Sequence, residues 1–201
     1  MYWNSCATNR QRPDWQACGW LLALALLLAP PARAQQEPDP ELRERLVAAL
    51  AVSDSFADRF DAQVWLTDMA TRLARQVPDP DERIEILLYA HREATRANLP
   101  PEMVLAVIDV ESNFQRYAVS VANAQGLMQV MRFWLDELGM EGHELFDIEK
   151  NLRMGCTILR YYYDMEKGDW SRALGRYNGS LGRMEYPNKV FERLQRRWYP
   201  H

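Results

Sequence analysis

The chain has 201 residues, 48% of them hydrophobic and 26% charged, with a formal net charge of −4. That is room for one ordinary domain with at most a small extra lobe, and the composition is that of a globular protein. The acidic balance excludes a nucleic-acid binder, which needs a basic footprint, and a simple adhesive for anionic lipid.

The first 34 residues differ from the rest. Arg10 and Arg12 precede the apolar run 20–29, and Pro30 and Pro31 lead into Ala32-Arg33-Ala34. A basic head, a short apolar core and a small-x-small site describe a signal peptide cleaved after Ala34. The rival is an uncleaved anchor, for which the run is short. Cleavage removes Cys6 and Cys18 and leaves Cys156 as a single thiol, so no internal disulfide is expected and Cys156 reads as a small core residue. Arg10, Arg12, Arg33 and Asp14 leave with it, which takes the remaining chain to a net charge of −6.

From residue 35 onward the sequence reads as helix after helix. Residues 41–52 are rich in Leu and Ala. Phe56, Phe60, Val64 and Thr67 recur near helical spacing towards Leu73. Asp79-Pro80-Asp81-Glu82 starts a helix, with Asp79 as N-cap, Pro80 in the first turn and Glu82 at the reciprocal capping position. Ile84, Leu87, Leu88 and His91 are expected on its apolar face. Further helices are expected over 101–111, 127–138, 148–167, 170–177 and 188–198. No stretch shows the alternation of a half-buried strand, so the fold is expected to be all-α, with at most a short β-hairpin in the loop 112–124. The seam between a helical extension (35–78) and a main domain (79–201) falls at the Pro-rich stretch 76–80.

The helix over 101–111 carries two carboxylates, Asp109 and Glu111. Counting i, i+3, i+4 and i+7 from Val104 gives Val107, Ile108 and Glu111, so Glu111 extends the apolar stripe. Asp109 lies about 200° round from it at about 100° per residue and is expected to face water. Burial raises a carboxyl pKa, and the partial negative charge at a helix C-terminus acts the same way. A glutamic acid still protonated near neutrality can protonate a leaving oxygen. The rival reading is a Glu that bends outward or sits in an ion pair, and periodicity leaves both open.

The polar, turn-prone loop that follows holds Ser120, Asn123, Gly126 and Gln129, and Tyr177-Asn178-Gly179-Ser180 closes a later helix. Glu111-Ser112 with Phe114, then Ala118-Val119-Ser120, then the block from Ala124 through Gln125, Gly126, Leu127, Met128, Gln129 and Val130 to Met131, and then Tyr177-Asn178 with Tyr186-Pro187 and Val190, together resemble the soluble lytic transglycosylase domain. That is glycoside hydrolase family 23, of the lysozyme-like superfamily. Asn151 through Gly155 also looks like the family's Asn-x-x-x-Gly helix entry, and the resemblance covers roughly residues 81–199.

The resemblance implies a lysozyme-like helical domain acting in the periplasm on peptidoglycan glycan strands. The family cuts the β-1,4 bond between N-acetylmuramic acid and N-acetylglucosamine without water and leaves a 1,6-anhydromuramoyl end. It implies that Glu111 is the single acid and then base, and that Ser120, Gln129, Met131, Tyr177 and Asn178 line the groove. The chain departs from the family pattern at Arg132, where Pro is usual, at Asn123, where Gly is common, and at Gly179-Ser180. Two other functions compete: a non-catalytic glycan-binding scaffold partnered with an envelope machine, and a lysozyme-type hydrolase. No cofactor or metal site is indicated, because His91, His143 and His201 have no ligand-like spacing to one another or to Cys156. Arg193, Arg196 and Arg197 crowd the last helix, as helix-end charge or as a contact for acidic stem peptides.

Overall fold

The computed structural model describes residues 59–199. The signal peptide, its cleavage point and the expected helix 41–52 lie outside the described residues. Within them the chain forms seven α-helices and one two-stranded sheet. The helices are α1 (Arg59–Leu73), α2 (Pro80–Arg96), α3 (Pro101–Glu111), α4 (Phe133–Leu138), α5 (Ile148–Met165), α6 (Trp170–Tyr177) and α7 (Glu185–Arg193). Strands β1 (Ala124–Gln125) and β2 (Val130–Met131) pair antiparallel, with Ala124 opposite Met131 and Gln125 opposite Val130. A 3₁₀ turn (Gly142–Phe146) precedes α5, and a π-helical turn (Leu194–Trp198) continues α7. No described helix is long and apolar enough to cross a membrane.

The helix starts follow local chemistry. The Asp79 carboxylate accepts from the backbone N–H groups of Asp81 and Glu82, which otherwise lack partners in a first turn. Asp147 does the same for Lys150, and Asp169 for Arg172. Helix α3 opens with Pro100 and Pro101 and has no side-chain cap; the proline at its first position has no N–H to leave unpaired and a φ already set for a helix.

Helix α3 is the centre of the core. Every residue from Met103 to Asp109 is buried, which requires neighbours on all sides. Helices α2, α7 and the π-turn supply them. Met69, Leu73 and Val77 of α1 and the following turn join the same hydrophobic cluster as Leu105, Leu152 and Trp198. The cluster also holds a buried ion network between α2 and α5. Glu93, fully buried, accepts from Arg96 Nε at 2.6 Å and Arg153 Nη2 at 3.0 Å, and Arg96 Nη2 continues to Thr157 Oγ1 at 2.7 Å. Cys156 is buried with a free thiol that burial pushes well up, consistent with a packing role.

Four expectations are corrected. Residues 127–131 are not helical. They form a turn and then β2, because Gly126 (φ 76°) and Gln129 (φ 49°) adopt left-handed backbone conformations that no α-helix holds. The β-hairpin therefore lies at 124–131 rather than within 112–124, although Val119 pairs with Gln125 to widen it. The last helix begins at Glu185, ahead of residue 188, and ends in π geometry. The buried face of α2 is Ile86, Leu87, Ala90, Glu93 and Ala94, whereas Ile84 and Leu88 are 40% and 37% exposed. Counting apolar residues chose the wrong stripe there, because a buried ion network replaced part of the apolar one.

Asn151 anchors the hairpin to α5 and to the turn before it. Asn151 Oδ1 accepts from Met128 N at 2.8 Å, and Asn151 Nδ2 donates to Gln125 O and Leu145 O, both at 2.9 Å. A Cβ at Gly126 would run into Asn151 Nδ2 and Leu145 O, so close approach as well as positive φ requires glycine there. Asn151→Ala leaves one buried donor and two buried acceptors without partners. It is expected to cost about 2–4 kcal/mol, read as a lowered urea midpoint at unchanged slope.

Candidate active site

Asp109 is not turned to water. It is 5% exposed and bound by the C-terminal segment: Arg197 Nη1 donates to Oδ2 at 2.9 Å, Trp198 Nε1 donates to Oδ2 at 3.1 Å, and Arg193 Nε lies 3.5 Å from Oδ1. The expectation failed because it assigned α3 one apolar face and one wet one. A helix covered on all sides has no wet face, and a carboxylate on its far side is tolerated only when charges and donors come to it. That also accounts for Arg193 and Arg197, while Arg196 is exposed and pairs with Glu192.

Glu111 sits in the last turn of α3, half-buried. The Tyr186 hydroxyl of α7 donates to Oε1 at 2.5 Å, a length typical of a hydroxyl bound to a carboxylate. Burial raises the Glu111 carboxyl from 4.5 to about 7, against the smaller opposing pull of the Tyr186 hydrogen bond, which favours the charged form. Glu111 therefore changes charge near neutral pH. Burial first, and the Glu111 charge second, push the hydroxyls of Tyr177 and Tyr186 well above the ordinary tyrosine range, so both stay protonated as donors.

The end of α3 and the hairpin are joined by Ser112, whose Oγ donates to Leu127 O at 2.7 Å. Helix α6 is joined to the same hairpin by Tyr177, whose hydroxyl donates to Met128 O at 2.7 Å. Tyr177 is thus close enough to feel the Glu111 charge while being fixed to the hairpin. Gln129 uses both protons of its carboxamide internally, donating to Ala118 O at 3.2 Å and Gly126 O at 2.9 Å. Ser120 Oγ accepts from Ala124 N at 3.0 Å and shapes the turn before β1. Met131 ends β2, half-buried against the core edge. Asn178 caps α6 through its backbone N–H to Leu174 O and is exposed. Glu111, Tyr177 and Tyr186 are brought together; no hydrogen bond joins Ser120, Gln129, Met131 or Asn178 to Glu111.

Tyr186 is the site residue that sequence reasoning assigned no role. It lies 75 positions from Glu111, and no local pattern links the two. Asn123 takes φ 63°, the left-handed conformation for which glycine is common and asparagine is tolerated. Arg132 stands at the start of α4 in helical geometry and is exposed. Among the described residues no group of three His, Cys, Asp or Glu side chains is placed to hold a metal.

The sign of the Glu111 shift gives a stability signature. A folded pKa above the unfolded one means that the native state holds the proton more tightly. That stabilisation is complete below about 4.5 and is lost as pH rises through about 7. Glu111→Gln is therefore expected to stabilise the protein at pH 8 by roughly 1–3 kcal/mol and to leave it little changed at pH 4. Denaturant melts at the two pH values check this.

Comparison with known proteins gives a consistent set of relatives. Residues 89–197 match the model of the transglycosylase SLT domain. The chain is 31% identical over 119 residues to membrane-bound lytic murein transglycosylase C of Photorhabdus laumondii subsp. laumondii, covering 51% of this chain and 33% of that protein. It is 31% identical over 112 residues to the protein of the same name from Yersinia pestis, covering 48% of this chain and 31% of that one. The chain thus spans about a third of the length of these relatives. An inactive variant of the lytic transglycosylase Slt from Pseudomonas aeruginosa aligns with a TM-score of 0.45 and 21% identity, over 82% of this chain and 34% of that one.

Proposed function

We propose that this chain, which belongs to the transglycosylase SLT domain family, is a peptidoglycan lytic transglycosylase with Glu111 as its single acid and base. The observation that carries the reading is the state of the two α3 carboxylates. Glu111 is desolvated and titrates near neutrality, while Asp109 is tied to Arg193 and Arg197 and is not offered to a substrate.

Most glycosidases place a second carboxylate opposite the acid, as nucleophile or as base for water. A single glutamate suffices when the substrate supplies the rest. In the first step Glu111 gives its proton to the oxygen of the bond between N-acetylmuramic acid and N-acetylglucosamine, and the C1–O bond breaks. The muramic 2-acetamido oxygen supports the electron-poor C1. In the second step the 6-hydroxyl oxygen bonds to C1, and the Glu111 carboxylate takes its proton. Water neither enters nor leaves, and the product carries a 1,6-anhydro ring. A carboxyl titrating near 7 can give and retake a proton at little cost in either direction. The Tyr186 hydroxyl steadies the carboxylate between the two steps and fixes its orientation.

Tyr177 offers an aromatic face beside the acid, and the hairpin carrying Gln129 and Met131, with Ser120 in the turn before it, forms the neighbouring wall of the glycan groove, with Asn178 at its rim. Residues 79–201 make up the catalytic unit, with 35–78 as an extension. Export follows cleavage after Ala34, which delivers the enzyme to the peptidoglycan. An envelope-machinery partner belongs to the competing scaffold reading.

Glu111→Gln is expected to lower the release of soluble fragments from purified sacculi by at least about 10² to 10⁴-fold. Mass spectrometry of the wild-type products is expected to show the anhydro mass. Reducing muramic ends would instead mean hydrolysis of the lysozyme type, and binding without release would mean a scaffold. Because the first step needs the protonated acid, the wild-type rate is expected to fall as pH rises above about 7.

A further inference from the structure

The segment 185–198 grips α3 at two points two residues apart. At one, Tyr186 of α7 donates to Glu111. At the other, Arg193 of α7 and Arg197 and Trp198 of the π-turn converge on Asp109. The second grip is built from several directions. Trp198 is fully buried and its ring meets Phe114, just beyond α3, at 5.3 Å between centroids. Arg72 of α1 donates through Nη1 to Arg197 O at 2.9 Å and Tyr199 O at 3.2 Å, which closes the turn from behind. Pro187 and Val190, between the two grips, are buried. Arg197 and Trp198, consecutive in the π-turn, donate to the same carboxylate oxygen.

A buried carboxylate needs such partners merely to be tolerated, so its presence could be read as packing alone. The geometry says more. Asp109 anchors the far end of the one rigid element whose near end carries the hydrogen-bond partner of Glu111. Resting on the reading of Glu111 as the acid, we propose that Asp109 is a positioning residue: by gathering Arg193, Arg197 and Trp198 it sets α7 so that the Tyr186 hydroxyl meets the Glu111 carboxyl.

A positioning role and a purely electrostatic role of Asp109 move the Glu111 titration in opposite directions. The groups facing Glu111 are Tyr186 of α7 and Tyr177 of α6; those facing Asp109 are Arg193, Arg197 and Trp198. Losing the Tyr186 hydrogen bond removes support for the Glu111 carboxylate and raises its titration point. Losing the Asp109 charge acts directly in the other direction, because one fewer negative charge nearby favours ionisation. A positioning role therefore makes Asp109→Asn move the Glu111 titration up, and a purely electrostatic role moves it down.

The test follows the Glu111 side-chain carboxyl by carbon NMR in protein labelled at glutamate, in wild type, Asp109→Asn, Tyr186→Phe and the double variant. Trp198→Phe, which deletes one donor to Asp109 without altering any charge, is run alongside in case Asp109→Asn does not fold. Both are expected to raise the Glu111 titration by roughly half a unit or more, with the alkaline limb of sacculus cleavage moving in step; in the Tyr186→Phe background the upward shift is expected to be lost, leaving none for Trp198→Phe and only the small downward effect of the missing charge for Asp109→Asn. A downward shift with Tyr186 present, a shift of equal size and sign in both backgrounds, or a lowered melting temperature with Glu111 titration unmoved would overturn the proposal. If wild type cuts no sacculi at any pH, the acid reading fails, and the titration cycle alone decides whether Asp109 sets Tyr186 on Glu111.

Discussion

A carboxyl group drawn out of water at the end of an apolar helix can remain there only if its surroundings both hold it and leave it able to change charge. At Glu111 these demands are met by a single donor, the Tyr186 hydroxyl, against a desolvation that outweighs it. Two or three donors would have pulled the group back to an ordinary carboxylate, and none would have left it a neutral acid that gives up its proton less readily. The balance depends on Tyr186 being held at hydrogen-bond distance, and much of the structure around α3 serves that distance.

The same helix shows the opposite solution two residues earlier. Asp109 is more buried than Glu111, yet it is surrounded by two guanidinium groups and an indole N–H. It is a charge compensated on the spot and withdrawn from chemistry. Two carboxylates in one turn thus acquire different roles from their neighbours alone, which is the general way a fold separates an acid from a structural anion. The cost of burying Asp109 is offset by the closure of the C-terminal segment over the core, where Trp198 fills space against Phe114.

The hairpin opposite the acid is held by backbone-directed side chains rather than by its own short ladder. Two residue pairs cannot stabilise a sheet in isolation. Asn151 from α5, Ser112 from the end of α3 and Tyr177 from α6 each bond its backbone. The loop wall is therefore only as mobile as the helices behind it. This suits the proposed chemistry, in which the site holds its geometry through two successive proton transfers while keeping water from the reacting carbon.

What could be read from residue order alone was whatever depends on near neighbours. Asp79, Asp147 and Asp169 satisfy N–H groups two or three residues away, Pro101 starts α3, and Gly179 turns the chain after α6. The position of Glu111 at the apolar end of its helix followed from the same short-range periodicity, and so did the all-α class. What only the tertiary structure decided depends on residues distant in the chain. Arg193 and Arg197 turned Asp109 from a surface group into a buried one, Glu93 and its arginines moved the buried face of α2, Asn151 converted 127–131 from expected helix to hairpin, and Tyr186 came to Glu111. Helical periodicity reports which side of a segment is apolar, but it carries no information about how many sides the rest of the molecule will cover.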